Sequence, residues 1–186
     1  MTEQSNSAAQ GQSTSTAQQP AQGAQGGPAP QEGPKKLAII ASKGSLDWAY
    51  PPFILASTAA SLDYEVEIFF TFYGLQLLDR DLDLQVSSLG NPGMPMPMPM
   101  PVMGQALPGM QAMMTKMMKR KMSAKGVVDL AELRQTCVDI GVKLVACQMT
   151  LDLFDMDSSR FIDGVELGGA ATFFGFAEDA NISLFI

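Results

Sequence analysis

The chain has 186 residues, a formal net charge of −7, two cysteines and no histidine. The missing histidine excludes Ser-His-Asp and Cys-His catalysis and histidine-ligated zinc, and two cysteines cannot complete a four-cysteine metal site. The acidic balance argues against a nucleic-acid-binding protein, and no glycine-rich phosphate fingerprint occurs, so we expect no nucleic-acid partner, no cofactor and no metal.

The first 34 residues differ in composition from the rest of the chain. Residues 1–34 consist largely of Gln, Ser, Ala, Gly and Pro, which predicts a disordered tail because too little apolar surface is present to offset ordering entropy. The tail has neither the basic start nor the apolar stretch of a secretory signal, so we expect a reducing, cytoplasmic compartment. Residues 35–186 fit one domain with a single core.

Strands and helices are predicted to alternate along this domain. Apolar runs predict buried strands at 35–42, 64–72 and 142–147 and a last strand at 181–186. The segments between them predict helices at 53–62, 75–80, 127–140, 151–161 and 168–178. Pro51 and Pro52 are expected in the first turn of the first helix, and residues 164–167 are expected to be a short extended connection. The alternation predicts an α/β fold with a mostly parallel, doubly covered sheet of the flavodoxin-like or Rossmann-like type.

A Met- and Pro-rich insert is predicted at about 84–125. Its repeat at 94–101 alternates methionine with proline, which excludes a membrane-spanning helix and favours polyproline II. The methionines that follow recur at helical spacing with a basic end, which predicts an amphipathic helix. Its methionine stripe fits a core or subunit contact, a membrane-surface contact over Met110–Met122, or a soft-metal thioether site. We expect the insert to lie outside the core.

The two cysteines are predicted to have different surroundings. Cys147 ends an apolar strand just before a helix, so its thiol is expected beside helix N–H groups that favour the thiolate. An inert cysteine closing a core strand fits the same position. Cys137 falls on the apolar face of the 127–140 helix, where burial is the expected state. A helix–strand offset separates the two thiols, so we expect no disulfide between them.

Several motifs across the domain together resemble one family. The sequence is similar to the DsrE/DsrF/DsrH-like sulfur-relay proteins in the loop at 45–52, the Phe-Tyr-Gly at 72–74, the Met-Pro insert, the Val-Lys-Leu-Val-Ala-Cys-Gln-Met at 142–149 and the segments at 164–173 and 181–186. The Met-Pro insert resembles the subgroup associated with rhodanese and TusA proteins. The resemblance covers 35–186 and implies a small α/β domain that assembles into homo- or hetero-oligomers.

The resemblance also implies a chemistry for the cysteines. Cys147 matches the family's acceptor cysteine, which carries sulfane sulfur as a persulfide, and Cys137 matches a possible second thiol. Lys43, Gly168 and Gly169 are the candidates for stabilising the persulfide anion. The expected function is a sulfur carrier or sulfurtransferase that works with rhodanese and TusA-like partners. The alternatives are a non-catalytic oligomeric or membrane-surface adaptor acting through the Met-rich segment, and a thiol redox sensor.

Overall fold

The computed structural model describes residues 33–87 and 109–186. The predicted tail at 1–34, apart from Gly33 and Pro34, and the Met-Pro repeat lie outside these residues. The strands are β1 (Lys36–Ala41), β2 (Glu65–Phe70), β3 (Lys143–Cys147), β4 (Val165–Gly168) and β5 (Ile182–Phe185). The α-helices are α1 (Leu46–Ala60), α2 (Met110–Ala124), α3 (Leu130–Asp139), α4 (Gln148–Leu153) and α5 (Ala170–Ala177), and 3-10 helices span Phe72–Leu78 and Ser158–Arg160.

The five strands form one parallel sheet in the order β4-β3-β2-β1-β5. Ile39 of β1 pairs with Ile68 of β2 and Leu184 of β5, and Leu144 of β3 pairs with Val165 of β4. All strands therefore end at the same edge, which is where open parallel sheets carry their functional loops. The predicted α/β fold with a parallel sheet flanked by helices is confirmed.

Two separate apolar clusters lie on the two faces of the sheet. On the face covered by α1 and α3, which we call the α1 face, the large cluster contains Ile39, Ile68, Phe53 and Ala146. The opposite face, which we call the α5 face, has a smaller cluster made by Ala38, Phe69, Val145, Cys147 and Phe173. Successive strand residues alternate between the clusters because side chains of a strand point to opposite faces. The α5 face thus depends mainly on one short helix for its cover.

The first helix begins earlier than predicted. α1 starts at Leu46, so Pro51 and Pro52 lie inside it and not in its first turn. Leu46 and Ala49 are buried in the core, and the backbone N–H of Leu46 donates to the carbonyl of Gln85 at 2.8 Å. Core packing, together with an acceptor outside the helix for its first backbone N–H, allows α1 to begin before the two prolines. The sequence pattern predicted that the prolines mark the start of the helix.

The helix after Cys147 also differs from the prediction of 151–161. α4 starts at Gln148, directly after the cysteine, and ends at Leu153, and Asp155 adopts a positive φ of 49° that breaks the helix. The helix expected over 75–80 is the 3-10 helix Phe72–Leu78, and the helix expected over 127–140 is limited to Leu130–Asp139. Gly141, with φ of 84°, occupies the left-handed position after α3 as predicted.

Residues 164–167 were expected to be a connection, and this expectation is wrong. Val165–Gly168 form β4, an edge strand paired in parallel with β3. Only Val165 and Leu167 of this strand are large and apolar, and both point to the same face. A four-residue edge strand between glycines has too short a pattern to distinguish it from a loop.

The described parts of the insert, 84–87 and 109–125, pack onto the core, contrary to the prediction. Met114 of α2 is buried in the large cluster together with Leu84 and Val86. The hydroxyl of Thr115 accepts from the backbone N–H of Val86 at 3.1 Å, and the side-chain amide of Gln111 donates to the carbonyl of Val86 at 2.9 Å. One edge of the methionine helix therefore belongs to the domain, because hydrogen bonds and apolar contacts both fix it there.

Candidate functional site

Cys147 occupies a junction between a strand and a helix. It is the last residue of β3 and the residue that precedes the first turn of α4. This places its backbone at the carboxyl edge of the sheet, as predicted. Its side chain makes no capping hydrogen bond to α4, so the expected contact between the thiol and the N–H groups of the following helix is absent from the described residues.

The Cys147 thiol is enclosed on the α5 face. The residue is 4% exposed and packs with Phe69, Val145 and Phe173. The ring centroids of Phe69 and Phe173 are 5.4 Å apart, which fixes α5 over the sheet at this point. The predicted carrier chemistry requires an exposed thiol. The buried Cys147 thiol does not meet this requirement. Access to the sulfur depends on the helix that covers it.

Gly168 lies beside Cys147 on the neighbouring strand, since the two residues are paired in register. A Cβ atom at Gly168 would lie 2.8 Å from Cγ1 of Val145 and 3.1 Å from the side chain of Thr172, so only glycine allows α5 to approach this closely. The N–H of Gly169 donates to Oγ1 of Thr172 at 3.3 Å. The first turn of α5 therefore starts next to the thiol, but the Gly169 donor is already used.

Lys43 is not part of this arrangement. It follows β1, and β2 lies between β1 and β3. The carboxyl ends of β1 and β3 are therefore about 10 Å apart across the sheet. Its ammonium nitrogen lies 3.1 Å from the ring centroid of Trp48, a residue of α1. The cation is directed to the helix that covers the opposite face, where it makes a cation–π contact.

Cys137 is the other thiol, and it is fully buried in the large cluster on the α1 face. Its S–H donates to the carbonyl of Phe53 at 3.4 Å. Burial raises the pKa of Cys137 to about 11, because the thiolate would lose its hydration. Both cysteines are free thiols. Cys137 has the environment of a structural core thiol.

Two threonines at the edge of the sheet contact each other, although no motif in the sequence indicates this. Oγ1 of Thr71, after β2, lies 3.2 Å from Oγ1 of Thr150, a buried residue of α4. The N–H of Phe72 donates to the same Thr150 oxygen at 3.3 Å, and Phe72 has a left-handed φ of 48°. These bonds hold the start of α4 against β2. A positive φ at a bulky residue cannot be recognised from local sequence.

Exposed apolar side chains surround this edge. Phe72 and Phe154 meet edge to face with ring centroids 6.4 Å apart, and Tyr73 stacks on Phe154 at 5.7 Å. Together with the exposed Met149 and Leu153 of α4 they form what we call the aromatic patch. A cavity of about 190 Å³ opens between these rings and Met156. The patch lies next to the residue that carries the candidate thiol.

Two negative findings apply to the residues that the structure describes. Over 33–87 and 109–186, no three acidic, cysteine or histidine side chains converge to hold a metal ion. In the same ranges no helix has the length and apolar character needed to cross a bilayer.

Comparisons with known proteins agree with the resemblance. A family model for the DsrE/DsrF/DrsH-like family matches residues 33–185. "Sulfur carrier protein DsrE2" of Allochromatium vinosum is 67% identical over 156 residues, which are 82% of this chain and 98% of the relative. "Uncharacterized protein YrkE" of Bacillus subtilis is 33% identical over 157 residues, 82% of this chain and 97% of that protein.

Among solved structures, the crystal structure of the ychN protein from E. coli is 13% identical with a TM-score of 0.46, and the match covers 82% of this chain and 99% of that one. The family model spans most of the chain, and the 67% identical relative is covered almost end to end. The chain therefore belongs to the DsrE/DsrF/DrsH-like family.

Proposed function

We propose that this protein is a sulfur carrier and that Cys147 holds sulfane sulfur as a persulfide. The observation that carries the proposal is the contrast between the two thiols. Cys147 ends β3 at the carboxyl edge of the sheet and is covered by the short helix α5, whereas Cys137 lies in the large cluster and donates to the carbonyl of Phe53. The 67% identical relative that is named a sulfur carrier supports the same role.

The proposed transfer needs only thiols. The Cys147 thiolate attacks the outer sulfur of a donor persulfide, the donor's S–S bond breaks, and its electron pair leaves on the donor thiolate. An acceptor thiolate then attacks the outer sulfur of the Cys147 persulfide, which restores the Cys147 thiolate. Each step exchanges one S–S bond for another, so no net oxidation occurs and no histidine base is needed, in a chain that has none.

Access to the sulfur is proposed to require movement of α5. Phe173 and the first turn of this helix are what covers Cys147 on that face. α5 is eight residues long, and Phe173, Phe176 and Ala177 are its residues that pack against the small cluster. A short shift of its first turn would expose the thiol and leave the helix N-terminus, with its partial positive charge, next to the persulfide anion.

Partners are proposed to approach at the carboxyl edge of the sheet. Donor and acceptor sulfurs must come within bonding distance of Cys147, and the aromatic patch is the exposed apolar surface at that edge. Rhodanese and TusA-like proteins are the proposed sulfur donors or acceptors, in a cytoplasmic setting and in a homo- or hetero-oligomer. Gly168 is proposed to position α5, while Lys43 and Cys137 are no longer candidates for contact with the sulfur because they lie toward the other face.

The experiment is a two-step transfer. The chain is incubated with a sulfur-loaded rhodanese, separated from it, and mixed with a TusA-like protein, and persulfides on every protein are trapped by alkylation and quantified by mass spectrometry. We expect sulfur to pass through this chain to the acceptor without loss. A chain that becomes oxidised to sulfenic acid or disulfide, with no sulfur delivered, would support the redox-sensor alternative and contradict the carrier.

Membrane-surface contact by α2 is a second candidate function. Met113 and Met117 lie one turn apart on α2 and are 59% and 56% exposed. Cations occur along the same helix at Lys116, Lys119, Arg120 and Lys121. Exposed methionines beside cations fit the interface of an anionic bilayer.

Vesicle sedimentation tests this contact. The wild type should sediment with phosphatidylserine-containing vesicles, whereas the double variant Met113→Ser/Met117→Ser should stay in the supernatant. Met149→Ser, which changes an exposed methionine outside α2, is the matched control. Equal sedimentation of all three proteins would contradict membrane contact through α2.

A further inference from the structure

A second concave site lies on the α5 face, at the end of the sheet opposite Cys147. A cavity of about 550 Å³ opens between the amino ends of the strands and one side of α5. Its walls include Glu65, Glu67, Lys143, Glu166, Thr172 and Phe176. The volume is in the range of small-molecule sites. The cavity is distinct from the thiol site, since Lys143 and Cys147 are separated along β3 by about 13 Å.

Glu67 is the unusual residue of this cavity. It is 3% exposed, and its Oε1 atom has no hydrogen-bond partner. Lys143 pairs with it in register on the neighbouring strand but forms no ion pair with it among the described residues. A buried carboxylate oxygen without a hydrogen-bond donor is costly, so such an atom in a cavity indicates a missing donor.

The charges around Glu67 define the kind of donor. Burial raises the pKa of Glu67, Glu166 raises it further, and Lys143 lowers it. The cavity wall has three carboxylates, of Glu65, Glu67 and Glu166, against the ammonium groups of Lys36 and Lys143. Lys36 is already within 3.7 Å of Asp179. The site therefore has an excess of negative charge that a cationic ligand would neutralise.

The spacing of the carboxylates favours an extended cation over a metal ion. Glu65 and Glu67 are two positions apart on β2, so their Cα atoms are about 7 Å apart, and Glu166 lies two strands away at about 10 Å laterally. Within the described residues such groups do not converge on one ion. The ring of Phe176, which already has the Lys36 ammonium 5.6 Å from its centroid, offers an apolar and cation-binding wall between them.

We propose that this cavity binds a linear alkyl polyamine or guanidinoalkylamine, with one cationic N–H donor group on Glu67 and a second near Glu65 or Glu166. The alkyl chain of the ligand lies along Phe176 in this arrangement. Gly175 leaves the helix side of the cavity open, because it has no side chain to fill it. The proposal does not rest on sulfur transfer at Cys147.

Calorimetric titration of the full chain with spermidine and with agmatine tests the proposal. We expect one ligand per chain, and we expect Glu67→Gln to weaken binding about tenfold or more because a charge-assisted hydrogen bond is lost. Lys143→Met, which removes the internal competing cation, should strengthen binding. Asp63→Asn is the matched control, since it removes an exposed carboxylate near the same end of β2 but outside the cavity.

A second probe distinguishes binding through hydrogen bonds from binding through charge attraction alone. Hexamethonium has two quaternary ammonium groups and cannot donate a hydrogen bond, so it should bind at least about tenfold more weakly than spermidine. The folded state of Glu67→Gln is verified by circular dichroism before titration. Undetectable binding of spermidine and agmatine at millimolar concentration, equal binding to Glu67→Gln, or equal binding of hexamethonium would each overturn the proposal.

Discussion

Cys137 and Cys147 lie close together in the chain but on opposite faces of the sheet. Cys137 belongs to the large cluster under α1, and Cys147 belongs to the small cluster under α5. The sheet between them prevents direct contact of the sulfurs, so sulfur on Cys147 has no intramolecular thiol to react with. The persulfide proposed for Cys147 would therefore persist until a thiol of another protein attacks it.

The raised pKa of Cys137 predicts a pH-dependent contribution to stability. Its folded pKa of about 11 is above the ordinary value of 9.0, so the neutral thiol stabilises the fold fully below about pH 9, and this contribution is lost as pH rises toward 11. From about pH 8 to about pH 10.5, the wild type should lose roughly 2 kcal/mol of unfolding free energy relative to Cys137→Ala. Urea denaturation of both proteins at each pH measures this. A constant difference between them would show that Cys137 ionises freely in the folded state.

Gly168 and Gly169 provide a matched pair for the packing of α5. Gly168→Ala introduces a Cβ that would contact Val145 and Thr172, so it should cost about 1–3 kcal/mol of unfolding free energy and speed alkylation of Cys147 by displacing the helix. Gly169→Ala places its Cβ in open space and should cost about 0.5 kcal/mol without changing the alkylation rate. Denaturation and timed iodoacetamide labelling measure both effects. Similar labelling of Cys147 in the two variants would contradict control of access by α5.

Met113 and Met114 test whether α2 belongs to the domain core. Met114 is buried with Leu84 and Val86, so Met114→Ala should cost about 2 kcal/mol or more of unfolding free energy. Met113→Ala changes an exposed neighbour on the same helix and should stay within about 0.5 kcal/mol of the wild type. Chemical denaturation distinguishes them. If Met114→Ala were as stable as Met113→Ala, the helix would be a separate appendage, as the sequence pattern suggested.

Much of the fold could be predicted because three apolar runs of the sequence form the buried strands β1, β2 and β3, while the run at 181–186 forms the exposed edge strand β5. Continuous apolar stretches such as Leu37–Ala41 and Leu144–Cys147 occur where both faces of a parallel sheet are covered, and this pattern needs no tertiary information. β4 could not be recognised from its composition, because its glutamate faces the cavity. Its pairing with β3 is what makes it a strand. The position of α2 could not be predicted, because its single buried methionine packs against residues that are distant in sequence.

The candidate site was predicted only in part, for a similar reason. The strand-end position of Cys147 follows from its apolar run, but the direction of its side chain depends on strand register and on α5. Lys43 was expected near the thiol because both follow strands, yet the strand order puts β2 between them. Glu67 lies within an apolar strand, and the local sequence does not indicate that its Oε1 atom is buried without a hydrogen-bond partner.

The position of added sulfur in the chain decides which cysteine is the carrier. Wild type, Cys147→Ser and Cys137→Ser are each incubated with polysulfide, alkylated and digested, and the cysteine peptides are weighed. We expect an increase of about 32 Da per sulfur on the Cys147 peptide of the wild type and Cys137→Ser, and none in Cys147→Ser. Circular dichroism confirms that all three are folded. Sulfur on the Cys137 peptide of folded Cys147→Ser, in the amount that the wild type carries, would contradict the assignment of Cys147 as the carrier.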